Sequence, residues 1–64
     1  MIVSIEKNKD ERNMEFIGTA AALLEQLRIN PITVIVAKDK KLIPLDTDIS
    51  DAKRIDILNV VSGG

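Results

Sequence analysis

The chain has 64 residues, nine basic and ten acidic side chains, and a formal net charge of −1. This length suffices for one small domain, and the lack of cysteine and histidine excludes disulfides, thiol nucleophiles, zinc–thiolate sites and a histidine general base. Because Phe16 is the single aromatic residue and no basic stripe occurs, we expect neither a nucleic-acid partner nor a membrane surface as a partner.

Two runs of alternating residues near the N-terminus predict a β-hairpin. Residues 1–7 alternate apolar and polar side chains, and residues 12–17 place Met14 and Phe16 on one side of a second strand. The four polar residues 8–11 between these runs predict the turn.

A helix is predicted next. Gly18 interrupts the strand pattern, and Thr19 is a suitable helix N-cap. The apolar side chains then recur at helical spacing, at Ala20, Leu23, Leu24 and Leu27. Asn30 precedes Pro31 and is therefore expected to end the helix after about ten residues.

Three more strands are predicted from β-branched and alternating residues, at 32–38, 42–43 and 55–61. Pro44 ends the middle one, and Leu45 and Ile49 are expected to hold the polar loop 45–54 against the core. One crossover helix among these strands covers one sheet face only. The order predicts an α+β protein, a β-grasp with a mixed four- or five-stranded sheet, forming a single domain over residues 1–64.

Apolar residues on both sides of two strands predict a docking surface. The set expected to face the helix consists of Val34, Val36, Ile55 and Ile57. The opposite parity then turns four residues outward, namely Ile35, Ala37, Leu58 and Val60. A contiguous exposed apolar patch is typical of a surface that binds a partner, and Ser62 lies next to it in the chain. A different strand register or a covering loop is the alternative.

The chain ends in Ser62, Gly63 and Gly64, which predict a flexible diglycine tail over about residues 62–64. A tail without side chains can enter a narrow channel, and its terminal carboxylate is ionised and therefore unreactive as an electrophile at pH 7. Adenylation by ATP would activate it. Because the chain contains no glycine-rich phosphate-binding loop, another protein would have to supply that reaction.

Four segments resemble the ubiquitin-like small sulfur carriers, a family that includes the thiamine-biosynthesis sulfur carrier and the molybdopterin-synthase small subunit. The similar segments are the helix at 19–27, the strand at 34–37, the Leu-Ile-Pro element at 42–44 and the closing strand with its diglycine at 54–64. The chain departs from the family pattern at Lys38-Asp39, where Asn-Gly often occurs. The similarity extends over nearly the whole chain.

The resemblance implies a protein that carries sulfur for other enzymes and is not itself an enzyme. A ubiquitin-activating-enzyme-like adenylyltransferase would dock on the apolar patch and use ATP to adenylate Gly64, the residue after Gly63. A desulfurase or rhodanese would then supply sulfur, and the resulting thiocarboxylate would serve a thiazole synthase or, alternatively, the large subunit of molybdopterin synthase. The carrier is expected to be a cytoplasmic monomer that binds no cofactor.

Two other functions fit the same residues. A ubiquitin-like modifier would join Gly64 to lysines of target proteins through isopeptide bonds. A binding module with the β-grasp fold would use its sheet face alone, with an inert terminus.

Overall fold

The computed structural model describes residues 1–60, in which five strands form one mixed sheet and one α-helix lies against it. The elements are β1 (Ile2–Ile5), β2 (Asp10–Asn13), α1 (Ala20–Gln26), β3 (Val34–Lys38), β4 (Lys41–Ile43) and β5 (Arg54–Asn59). The strand order is β2-β1-β5-β3-β4, with β1 and β5 parallel and all other neighbours antiparallel. This confirms the predicted β-grasp fold with five strands.

The core lies between α1 and one face of the sheet. Its most deeply buried side chains are Val3, Leu23, Leu24, Val36, Ile49, Ile55 and Ile57. The four residues predicted to face the helix all belong to this core cluster. Alternation along β3 and β5 therefore identified the inward face correctly, because successive side chains of a strand point to opposite faces.

The helix begins as predicted. Thr19 Oγ1 accepts a hydrogen bond from the Ala22 N–H at 3.2 Å, which satisfies one of the unpaired amides of the first turn. Gly18 before it has φ +142°, and a Cβ there would lie 3.2 Å from Cε2 of Phe16. No helix within residues 1–60 has the length and apolar character needed to span a bilayer.

The helix ends earlier than predicted. Arg28 adopts a left-handed conformation, φ 59°, and the Ile29 N–H donates to the Leu24 carbonyl at 2.9 Å. This Schellman-type termination stops α1 before Asn30 is reached. Asn30 instead caps a 3₁₀ turn, Pro31–Thr33, and so delays the start of β3 until Val34.

The second strand lies nearer the N-terminus than the sequence predicts. Residues 12–17 were expected to pair, whereas β2 spans Asp10–Asn13 because a 3₁₀ turn, Glu6–Asn8, closes the hairpin early. Met14 and Phe16 nevertheless pack against the core as half-buried side chains outside the sheet. Their alternation in the sequence therefore agrees with their burial, but it does not correspond to pairing in the sheet.

The loop between β4 and β5 is held in place as predicted. Ile49 is fully buried, and Leu45 packs against the core cluster. Backbone hydrogen bonds add to this packing, from the Ile49 N–H to the Gly18 carbonyl at 2.8 Å and from the Ala20 N–H to the Thr47 carbonyl at 3.0 Å. The loop therefore fixes the start of α1 against the sheet.

The turn between β3 and β4 forms without the Asn-Gly sequence that is common in tight hairpin turns. Asp39 and Lys40 both take left-handed conformations, φ 49° and 71°, which is the requirement of a tight hairpin turn. Asp39 Oδ1 also accepts hydrogen bonds from the N–H groups of Lys53 and Arg54, at 3.0 and 2.9 Å. The aspartate thus ties the turn to the start of β5.

Candidate functional site

The outward side chains of β5 change from charged to apolar along the strand. Arg54 and Asp56 occupy the first half, and Leu58 follows them, with Val60 just beyond the strand end. Leu58 lies directly opposite Ile35 of β3. Ile35 is 37% exposed and Val60 50% exposed, so apolar surface collects at the end of the sheet where the chain passes to residue 61.

Two residues differ from the sequence prediction for this face. Ala37 is on the outer side but only 5% exposed, because its short side chain lies between Asp56 and Leu42 on the neighbouring strands. The expectation that Ala37 offers docking surface is therefore wrong. Leu42, which was not predicted as part of this surface, is 66% exposed. We define the apolar patch by the four outward residues Ile35, Leu42, Leu58 and Val60.

An ion-paired group borders the apolar patch on the same face. Arg54 Nε donates to Asp56 Oδ1 at 3.0 Å, and Arg54 Nη2 donates to Glu11 Oε2 at 3.1 Å. The hydrogen bond to Asp56, followed by its negative charge, raises the pKa of Arg54 above its ordinary value. These charges largely satisfy one another, so the patch has a defined polar border towards β1 and β2.

The end of β5 is anchored on both sides. The Asn59 N–H donates to Glu6 Oε1 at 2.9 Å, at a point where β1 has already ended and no strand supplies a carbonyl. The Val60 N–H donates to the Thr33 carbonyl at 3.0 Å. The backbone is therefore held up to the last described residue, immediately beside the apolar patch.

The remaining predicted site residues lie outside the described part of the chain. These are Ser62, Gly63 and Gly64. Their roles in docking and in the reaction stay predictions. Within residues 1–60, no group of three or more acidic side chains is arranged to hold a metal ion.

The chain matches the model of one protein family and is similar in sequence to known proteins. The model of the ThiS family matches residues 4–64. An "Uncharacterized protein" of Archaeoglobus fulgidus is 43% identical over 42 residues, and "Sulfur carrier protein TtuB" of Thermus thermophilus is 31% identical over 42 residues. Each alignment covers 66% of this chain but only 61% and 65% of the respective relative, less than two thirds of either protein.

Proposed function

The chain belongs to the ThiS family, and on this premise we propose that it is a sulfur carrier whose Gly64 carboxylate is adenylated and then converted to a thiocarboxylate. Membership confirms the resemblance to the ubiquitin-like small sulfur carriers. The observation that carries the proposal is the family match through residue 64, which includes the diglycine. The exposed apolar patch beside the approach to that tail supports it further.

The proposed chemistry takes place in two stages, both catalysed by partners. A carboxylate oxygen of Gly64 attacks the α-phosphorus of ATP, and pyrophosphate leaves, so that the terminus becomes an acyl adenylate. The outer sulfur of a persulfide on the sulfur donor then attacks the acyl carbon, and AMP leaves. A thiol cleaves the resulting acyl disulfide, which releases the thiocarboxylate and leaves that thiol in a disulfide with the donor. One carboxylate oxygen has been replaced by sulfur, and the chain carries a nucleophilic thiocarboxylate.

In this proposal the chain contributes recognition and delivery, and the catalysis belongs to its partners. The adenylyltransferase would dock on the apolar patch, covering Ile35 and Leu58 in the middle and Val60 next to the tail. Burying such a patch is favourable because it removes apolar surface from water. The ion-paired border at Arg54 would limit how the partner is placed on the sheet.

The finer proposal names the acceptor. We propose that the sulfur is delivered to a thiazole synthase in thiamine biosynthesis, in the cytoplasm where ATP is available, with a desulfurase or rhodanese as donor. The support is the resemblance to the thiamine-biosynthesis sulfur carrier. Deletion of the gene is expected to cause a requirement for the thiazole moiety; a loss of molybdenum-cofactor enzymes instead would assign the chain to molybdopterin synthase.

The test is the intact mass of the full 64-residue chain. We expect a mass gain equal to one oxygen-to-sulfur exchange after incubation with ATP, cysteine, a desulfurase, a thiol reductant and an adenylyltransferase of the host. A synthetic chain of the same sequence with a C-terminal amide is the matched control, and it should gain nothing. Absence of the gain with every adenylyltransferase of the host would refute the proposal.

The same experiment separates the other candidate functions. A modifier of proteins would appear as conjugates in which Gly64 is joined to target lysines. A binding module with an inert terminus would show neither sulfur nor conjugates, and removal of Gly63 and Gly64 would leave its phenotype unchanged.

A further inference from the structure

A second feature lies at the same end of the sheet, on the opposite face from the apolar patch. A cleft of about 480 Å³ opens between the C-terminal end of α1 and the ends of the central strands. Its apolar floor includes Leu27 and Ile57, and its lining includes Lys7, Arg28 and Asn59. We call it the Lys7–Arg28 cleft. The volume is in the range of small-molecule pockets, so a single side chain would fill only part of it.

The charged side chains among the described residues that line the cleft are all basic. Among the described residues that line it, two are basic and none is acidic. The nearest carboxylates along the chain are Glu6 beside Lys7 and Glu25 near Arg28. Oε1 of Glu6 accepts the Asn59 N–H, and Glu25 lies outside the cleft, in a neighbouring depression that Arg28 also lines. Within residues 1–60, neither Lys7 nor Arg28 has an ion-pair partner, whereas Arg54 on the outer face has two. The cleft is therefore complementary to an anionic group.

The backbone at Arg28 adds an independent observation. Arg28 follows the end of α1 in a left-handed conformation, φ 59°, at the position where glycine is strongly favoured. A side chain with a Cβ is disfavoured in this conformation. The chain thus places a long cation in the cleft at a position where the backbone would be more stable with glycine.

The position of the cleft indicates what fills it. Asn59 and Thr33 line it, and the Thr33 carbonyl accepts the hydrogen bond from Val60, the last described residue. A protein that binds the chain just beyond Val60 would lie next to this end of the sheet. It would contact the apolar patch on one face and the cleft on the other.

The Gly64 carboxylate is the other anion to consider. Charge swaps on the partner distinguish it from a side chain of the partner, because only an acidic residue of the partner can be changed to lysine and thereby recover binding of a charge-reversed cleft variant.

We propose that the Lys7–Arg28 cleft receives an acidic side chain, Asp or Glu, of the adenylyltransferase that activates Gly64. The inference rests on the proposed function. The partner would then hold the end of the sheet from both faces, with apolar contacts on the outer face and a carboxylate on the inner one. Lys7 and Arg28 would also speed the encounter, because opposite charges steer association.

Charge reversal tests this assignment. Association of the full chain with the adenylyltransferase is measured by stopped flow at low salt, for Lys7→Glu, Arg28→Glu and a control, Lys53→Glu. Lys53 is an exposed cation at the opposite end of β5, and its reversal changes the net charge by the same amount. We expect the two cleft variants to associate about tenfold more slowly and the control within about twofold of the native chain. Equal effects in all three variants would overturn the proposal.

Arg28→Gly distinguishes binding from a structural role. Glycine suits the left-handed position, so the melting temperature should rise, while the association rate should fall because the cation is lost. A purely structural residue would not show these opposite changes. An association rate equal to that of the native chain would contradict the proposal.

A charge-swap scan identifies the occupant. Each surface Asp and Glu of the adenylyltransferase is changed to Lys, and one such variant should restore association with Lys7→Glu. Restoration by none of them would count against an acidic side chain in the cleft.

If the native chain associates and gains sulfur while the cleft variants do so equally well, only this inference fails. If the native chain is not adenylated by any partner, the proposed function fails, and this inference with it.

Discussion

Two neighbouring residues of β3 provide the sharpest test of how the two faces of the sheet are used. Ile35 belongs to the apolar patch and is 37% exposed, whereas Val36 is 1% exposed in the core. We predict that Ile35→Asp leaves the protein folded but prevents its activation. Val36→Asp, one residue along the same strand, should unfold it.

The magnitudes follow from burial. Full burial of an isoleucine side chain is worth about 1.5–3 kcal/mol, so a residue buried to about two thirds contributes roughly 1–2 kcal/mol to the free energy of unfolding. A domain of this size has roughly 3–5 kcal/mol in total, so Ile35→Asp should remain mostly folded. An unpaired carboxylate at Val36 would cost several kcal/mol, about as much as the whole stability.

Two measurements decide the outcome. Circular dichroism during heating reports folding, and the intact-mass assay reports conversion of the terminus to the thiocarboxylate. Ile35→Asp should give a cooperative melt below that of the native chain and no mass gain. Unfolding of Ile35→Asp, or a folded variant that gains sulfur at the native rate, would refute the assignment of this face to docking.

Three further predictions concern stability. Ile49→Ala, at a fully buried loop residue, should lower the free energy of unfolding in urea by about 2–5 kcal/mol, while Ile17→Ala, at a residue 88% exposed, should change it by less than about 0.5. Thr19→Ala should cost about 1 kcal/mol and speed amide exchange in the first turn of α1; unchanged exchange would argue against the cap. The hydrogen bond from Lys38 Nζ, 2.7 Å long, lowers the pKa of Asp51, so its stabilising effect is present above the usual carboxyl pKa of 3.8 and is lost as the pH falls through the lowered value. Asp51→Asn should therefore reduce the fall in melting temperature between neutral and acidic pH, and an unchanged fall would contradict this.

The apolar pattern of the sequence predicted which residues are buried better than it predicted where each strand begins and ends. Met14 and Phe16 were expected on one side of the second strand, and both do pack against the core. They nevertheless lie outside β2, because the tight turn after β1 sets the pairing register. The helix end was misplaced for a similar reason. The Schellman termination at Arg28 requires a left-handed residue, and the sequence shows an arginine where glycine would have been the signal.

The apolar patch was predicted in part. Parity along β3 and β5 identified Ile35 and Leu58 as outward residues, but the exposure of a residue also depends on its neighbours across the sheet. Those neighbours cover Ala37 and leave Leu42 exposed. Asp56, which lies beside Ala37 on β5, is distant from it in sequence, so no local pattern reveals that contact.

The sequence by itself determined the order of the elements, the inward face of β3 and β5, and the terminal diglycine on which the proposed chemistry rests. These are local properties, because alternation, helical spacing and turn residues act over a few positions. Only the tertiary structure decided which side chains lie around the C-terminal end of β5. Glu6 accepts a hydrogen bond from the Asn59 backbone, 53 positions away, and Lys7 and Arg28 both line the cleft that includes Asn59. Such contacts depend on the register and packing of the whole domain, which side-chain type and spacing alone do not specify.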